Sequence, residues 1–283
     1  MSDLSDFQPR TSRFAVVGHP VAHSKSPQIH QAFASQCGLT LEYQALALEP
    51  EGFEQGLRNI RAGGFAGVNV TVPFKQAAWR LSDRLSERAC TAQAVNTLSF
   101  EDEAIVGDNT DGVGLLRDLE QNLTVTLAGS RVLVIGAGGA AQGILQPLLT
   151  AGPAELVIAN RTGVRAQELA VAFAGAGDTS GVALEDLAQT AFEIVINATS
   201  ASLAGEVPVL PQGLFAPGAL AYDLVYANTP TAFLHWAHAA GAGHTADGLG
   251  MLVEQAAESF WIWHGRRPHT RPVIAALRGD TAG

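Results

Sequence analysis

Between residues 13 and 18 the chain reads RFAVVG, an apolar run closed by glycine, which predicts a short buried strand. Ser26 then precedes Pro27, and Gly38 follows as a stop. A cap residue, a ring suited to the first helical position and a terminal glycine predict a helix of about 11 residues starting at Pro27. LEYQALAL (41–48) predicts a second strand, followed by a helix around 51–61 that breaks at Gly63-Gly64. GVNVTVPF predicts a third strand that must stop at Pro73, because a ring without an N–H cannot continue a ladder. A helix is expected from about Pro73 to Leu85, then strands near 94–100 and 104–107 around a turn at Glu101-Asp102.

From Gly112 the rhythm changes. VGLLRDLEQN predicts a helix, and RVLVIGAGGAAQGILQPLLTAG a strand, a Gly-rich turn and a helix. ELVIANRT, FEIVINAT and ALAYDLVYANTP predict further strands, with helices at RAQELAVAF and TAFLHWAHAAG. Strands alternating with helices of this length predict a parallel sheet with right-handed crossovers. GMLVEQAAESFWIWHG predicts a strongly apolar helix, with Phe260, Trp261 and Trp263 read as packing residues. The fold expected is α/β, with two α/β domains and a cleft between them. Residues 1–111 plus 248–283 form the first unit and 112–247 a Rossmann-type nucleotide-binding unit. Helices near 112–122 and 248–264 would connect them.

Hydrophobic residues make up 47% of the chain and charged residues 16%, ample for a buried core. The formal net charge of -10 disfavours binding to nucleic acid or to a membrane surface, but leaves a small anionic ligand possible in a locally positive pocket. No run approaches the ~18 apolar residues of a membrane span. Two cysteines, Cys37 and Cys90, give no disulfide framework, and the polar start MSDLSDFQPR lacks a signal-peptide run. A cytoplasmic protein is expected. His235 and His238 lie one turn apart without a third ligand group, so no metal site is expected.

Gly136, Ala137, Gly138, Gly139 and Ala140 follow a strand and open a helix. This is the arrangement that offers free N–H groups and a positive dipole end to a pyrophosphate. Where an NAD site usually carries a carboxylate for the ribose, this chain has Asn160, Arg161 and Thr162, with Arg165 one turn later. Guanidinium groups and a hydroxyl suit a 2′-phosphate, which selects NADP.

Of the 17 basic residues only two are lysines, Lys25 and Lys75. Lys75 lies just past the third strand's carboxyl end, the side where open α/β sheets bind ligands. In that strand a period of two puts Asn69 and Thr71 on one face. GDNTDG (107–112) has the composition of a turn, and its place at the junction between the units would turn Asp111 toward the cleft. Ser24 and Ser26 precede a helix N-terminus, a ready seat for a carboxylate, with plain capping by Ser26 as the alternative.

The stretches VAHSKSPQIH, GVNVTVPFK, AVNTL, GDNTDGVGLL, VIGAGGAAQG, NRT, INATS, YDLVY and ADGLGMLVEQA together resemble the shikimate dehydrogenase family across nearly the whole chain. The resemblance implies an NADP-dependent enzyme that interconverts 3-dehydroshikimate and shikimate, with Lys75 and Asp111 as its catalytic pair. It implies that Ser24, Ser26 and Tyr226 hold the substrate carboxylate. Thr71, Asn96 and Gln255 would read the ring hydroxyls, with Asn69 nearby. Thr199, Leu224 and Gly248 correspond to cofactor-lining positions, Glu87 to a weaker one, and Leu224 stands where several members carry Met. A monomer or homodimer is expected. A relative acting on quinate or using NAD is one alternative, and a non-enzymatic NADP(H)-sensing module is another.

Overall fold

The structure, a computed structural model, describes residues 11–102, 104–187 and 190–279. The terminal segments 1–10 and 280–283, which the sequence reading gave to the first unit, lie outside these. The first half runs β1 (Ser12–Gly18), α1 (Ser26–Cys37), β2 (Leu41–Ala47), α2 (Phe53–Ala62), β3 (Phe65–Val70) and α3 (Lys75–Leu81). It continues with β4 (Arg84–Leu85), α4 (Glu87–Ala92), β5 (Thr97–Phe100), β6 (Ile105–Asp108) and α5 (Asp111–Arg117). The second half runs β7 (Arg131–Ile135), α6 (Gly139–Thr150), β8 (Glu155–Asn160), α7 (Gly163–Phe173), β9 (Thr179–Ala183) and β10 (Phe192–Asn197). It ends with β11 (Phe215–Asp223), α8 (Ala232–Ala239), β12 (His244–Asp247), α9 (Leu249–His264) and α10 (Arg271–Gly279).

Two six-stranded sheets result. The first has the order β2-β1-β3-β5-β6-β4, and the second β12-β11-β10-β7-β8-β9. All pairings in the second are parallel. In the first, β5 runs antiparallel between β3 and β6, so β6 points the same way as β3.

Period-two alternation explains why the central strands are apolar throughout. On β1, Phe14 and Val16 face the cluster built with Ile29 and Phe33 of α1 and Val253 and Phe260 of α9. Ala15 and Val17 face the opposite cluster, with Leu57 of α2. On β7, Val132 and Val134 meet Ile144 and Leu148 of α6, whereas Leu133 and Ile135 meet Phe233 and Leu234 of α8. Thus α9 follows the second sheet in sequence but buries its apolar stripe on the first. Truncating a fully buried side chain such as Phe260 to alanine typically costs about 3–5 kcal/mol.

Four expectations change. The helix read over 73–85 ends at Leu81, because Ser82 turns extended and Arg84–Leu85 pair with Val106 and Gly107 as β4. β9 and β12 escaped notice because TSGVA and HTAD are short sheet-edge strands without a strong apolar alternation. The helix after Asp111 opens into a wider π-type turn over Asp118–Asn122, where buried Asp118 accepts a 2.7 Å hydrogen bond from Tyr222. Trp261, read as packing, is 45% exposed, with the Arg267 guanidinium 5.2 Å from its ring centroid.

Candidate active site

The direction of the strands gathers the chemistry. Because β1, β3 and β6 are codirectional, the segments that follow them leave one edge of the first sheet, and Asn96 enters β5 at that same edge. Backbone bonds stitch this edge: Thr71 N–H to Val17 O at 2.9 Å, Val95 N–H to Lys75 O at 2.9 Å, and Asn96 N–H to Asp108 O at 3.0 Å.

Lys75 opens α3 and Asp111 opens α5. Their side chains meet, Lys75 Nζ donating to Asp111 Oδ2 at 2.6 Å, with only 19% and 7% of the two side chains exposed. Asn96 Nδ2 donates to Asp111 Oδ1 at 2.8 Å, to Thr110 Oγ1 at 2.8 Å and to Gln255 Oε1 at 3.2 Å. Gln255, from α9, donates its own amide hydrogen to Leu252 O at 2.8 Å. The pair is therefore fixed from three elements before any ligand arrives.

Asn69 is buried and internally satisfied. Its Oδ1 accepts from Tyr43 at 2.7 Å, and its Nδ2 donates to Ser259 at 2.9 Å and Thr97 at 3.1 Å. Thr71 lies just past β3, with its methyl in the space that the bare Gly18 leaves. Ser26 does not cap α1. The N-cap is Lys25, and Ser24 Oγ accepts the Ser26 N–H at 3.2 Å and donates to Ser26 Oγ at 3.1 Å. Tyr226, after β11 of the second sheet, lies near the Lys25 backbone N–H of this loop, and burial pushes its hydroxyl up.

The second sheet presents its own edge. All six strands end on one side, so the sheet order places Gly248, Leu224, Thr199, Gly136 and Asn160 in sequence along it. The residues there fit a dinucleotide. Gly136 has φ +115, and an added Cβ would stand 3.1 Å from Ala198 O. A Cβ on Gly138 or Gly139 would meet nothing within 4 Å, so the space over the turn is open. The N-cap Gly138 provides no capping side chain and the first turn of α6 holds no acid, which leaves its N–H groups for phosphate oxygens. Ala137 and Ala140 complete the turn without adding a polar side chain. Thr199 is held by Asn197 Oδ1 at 2.8 Å, and a Cβ on Gly248 would collide with Leu224 O. Asn160 Nδ2 donates to Thr162 O at 3.0 Å, which shapes the turn carrying Arg161 and Arg165. Both arginines are exposed and pair with no carboxylate among the described residues. Glu87 stands exposed in the first turn of α4, and its side chain makes no hydrogen bond or ion pair to this edge among the described residues.

Three carboxylates brace these edges, Asp108 half-buried, Glu258 and Asp223 buried. Asp108 accepts a forked pair from Arg88, Nε to Oδ1 at 2.6 Å and Nη2 to Oδ2 at 2.9 Å, and Oδ1 also takes the Asn109 N–H at 2.7 Å. Arg88 also reaches Glu258 at 3.1 Å, where Arg117 and Arg267 converge at 2.6 Å each. Burial pushes the Glu258 carboxyl up, but the bonds and charges of Arg267, Arg117 and Arg88 outweigh that and hold it at about 2. Asp223 accepts from Ser202 and Thr231 at 2.6 Å each, pinning the turn that carries Leu224. There burial prevails over the hydrogen bonds and raises the carboxyl.

Comparison with known proteins agrees with this geometry. The family profile described as "Shikimate dehydrogenase substrate binding domain" matches residues 16–98, and "Shikimate / quinate 5-dehydrogenase" matches residues 118–205. The "Shikimate 5'-dehydrogenase C-terminal domain" profile matches residues 248–278. A relative from Alkalilimnicola ehrlichii named "Shikimate dehydrogenase (NADP(+))" is 56% identical over 95% of this chain and 100% of its own length. The chain belongs to the shikimate dehydrogenase family. Among solved members of similar fold, an Ael1 enzyme from Pseudomonas putida is 48% identical over 94% of this chain and 98% of its own, with a TM-score of 0.87. The Thermus thermophilus shikimate 5-dehydrogenase, solved with NADP(H) and shikimate, is 36% identical over 95% of this chain and 99% of its own, with a TM-score of 0.84.

Sequence reasoning missed several residues that build this edge. Thr97, Ser259 and Thr110 link Asn69 to Asn96, and Tyr43 donates to Asn69. Ser259 left a signal: a small hydroxyl four residues after Gln255, inside an apolar helical stripe. Tyr43 left another, a polar-tipped ring beside Leu41 on the inward face of β2.

Proposed function

We propose that this oxidoreductase reduces 3-dehydroshikimate reversibly to shikimate with NADPH, and that Lys75 and Asp111 handle the proton. The observation that carries the assignment is the buried 2.6 Å Lys75–Asp111 pair, locked by Asn96 at the edge that faces the nucleotide turn. Arg161, Arg165 and Thr162 hold the 2′-phosphate, while Gly136 to Ala140 seat the pyrophosphate. Thr199, Leu224 and Gly248 line the nicotinamide end. The bound cofactor supplies the hydride in reduction and takes it in oxidation. Lys75 Nζ donates a proton to the carbonyl oxygen as it gains negative charge, and in the reverse direction it withdraws the hydroxyl proton. Asp111 keeps the lysine aimed at that oxygen. Ser24, Ser26 and Tyr226 grip the substrate carboxylate; Thr71, Asn96 and Gln255 read the ring hydroxyls. Asn69 supports them from beneath.

On this reading residues 1–111 plus 248–283 form the substrate domain and 112–247 the NADP domain, consistent with α9 packing on the first sheet. The enzyme works in the cytoplasm as a monomer or homodimer. Cys37 and Cys90, both free thiols, suit a reducing compartment. Among the described residues no helix is long and apolar enough to cross a membrane. An absorbance assay at the NADPH band tests the assignment. Rapid turnover of shikimate with NADP+, and little with quinate or NAD+, is expected. Turnover of none of these, with NADPH still bound, would leave a cofactor-sensing module.

A further inference from the structure

The helix that presents its N-terminus to the nucleotide also touches the proton-handling pair. One turn into α6, Gly143 lies directly against Asn109 and Asp111. A methyl at this position would stand 3.2 Å from Asp111 Oδ2 and 3.2 Å from Asn109 Nδ2. Four residues on, Pro147 has no N–H, so the Gly143 carbonyl loses its helical donor. Gly112, the neighbour of Asp111, packs over that carbonyl. A Cβ on Gly112 would stand 2.6 Å from Gly143 O and 2.6 Å from Pro147 Cγ. Asn109 is tied at both ends of its amide, because its Nδ2 donates to Ala94 O at 2.9 Å while its Oδ1 accepts the Asp111 N–H at 3.1 Å. Beside this contact Gln76, next to Lys75, donates to Gln142 of α6 at 3.4 Å.

We propose that Gly143 is a positioning residue, whose bare backbone on the cofactor helix sets the Asp111 carboxylate against Lys75. The seat for the cofactor phosphates and the alignment of the proton-handling pair are then governed by one rigid element. This extends the assignment of Asp111 made above and depends on it.

Gly143→Ala in the full chain is the test. Alanine is the better helix former, so the helix persists while Asn109 and Asp111 must give by a few tenths of an ångström. Because a 1 Å misplacement can cost about 100-fold, kcat should fall about tenfold. The dissociation constant for NADPH should stay within about twofold, since no phosphate-facing N–H is removed. Gly175→Ala, where a methyl meets nothing within 4 Å, should match the unaltered protein. Unchanged kcat in Gly143→Ala, with Asp111→Asn inactive, would overturn the proposal and leave the function assignment standing. Loss of NADPH affinity in parallel with kcat would also overturn it, since the variant would then be damaging the cofactor seat. A fully active Asp111→Asn would remove the assignment itself.

Discussion

The two regions proposed to handle the proton and the cofactor phosphate carry their cations in opposite ways. Lys75 is mostly buried and paired at 2.6 Å to Asp111, whose other carboxylate oxygen is held by Asn96. Arg161 and Arg165 stand exposed at the end of β8, with no carboxylate partner among the described residues. Proton transfer demands geometry that is correct before the substrate arrives, because its gain is lost with small displacements. Gripping a 2′-phosphate demands unspent donors, and two exposed guanidinium groups can order around it on binding. The lesson is that one region should control kcat and the other the affinity for the cofactor.

That division can be broken at either end. Lys75→Ala, or Asp111→Asn, should lower kcat by about 10²–10⁴-fold, the usual worth of positioned acid–base help. NADPH affinity, followed by fluorescence titration, should be retained; equal loss of both would make the pair structural. Replacing Arg161 and Arg165 together with alanine should raise KM for NADP+ about 10- to 100-fold, with kcat nearly unchanged, since hydrogen bonds to charged groups are worth about 1.5–3 kcal/mol. KM for NAD+ should not move.

A smaller effect concerns stability. Burial, and then neighbouring His264, hold His30 at about 3, stacked 4.2 Å from Tyr43 beneath the substrate edge. The unfolded chain takes up this proton below about pH 6.5 and the folded chain does not, so stability present above that pH falls as acid is added. By pH 5 the loss should be roughly 2 kcal/mol, and His30→Phe should flatten that part of a urea-unfolding series. Glu258 acts lower down. Its carboxylate contributes fully above about pH 4.5, and the contribution is lost as pH falls toward 2. The smallest effect is at Glu87. Exposed, and without a side-chain hydrogen bond or ion pair among the described residues, it should change kcat and KM by less than about twofold on replacement with alanine, as surface positions usually do. A tenfold change would bring the Glu87 side chain into the cofactor site.

Much of this was readable from the chain because the strongest signals are local. Strand, glycine turn and helix at 131–150, with the arginines at the next strand's end, need no tertiary knowledge to suggest NADP. NVTVPFK and DNTDG placed Lys75 and Asp111 at the ends of elements. Sequence could not reveal that Asn96 joins them, because that contact depends on antiparallel β5 bringing residue 96 to the edge where 75 and 111 emerge. It could not assign Tyr43 or Ser259 either, since their bonds span 26 and 190 positions. The edge strands β9 and β12 escaped for a different reason. They owe their conformation to the neighbouring strand rather than to an apolar pattern of their own.

The central claim is that the reacting ring oxygen lies beside the Lys75–Asp111 pair, opposite the nicotinamide. A crystal structure of the complex with NADP+ and shikimate measures this directly. The account predicts that the reacting hydroxyl oxygen lies within about 2.6–3.2 Å of both Lys75 Nζ and an Asp111 oxygen, its carbon facing the nicotinamide ring. Shikimate bound with that oxygen turned away from both side chains would contradict it.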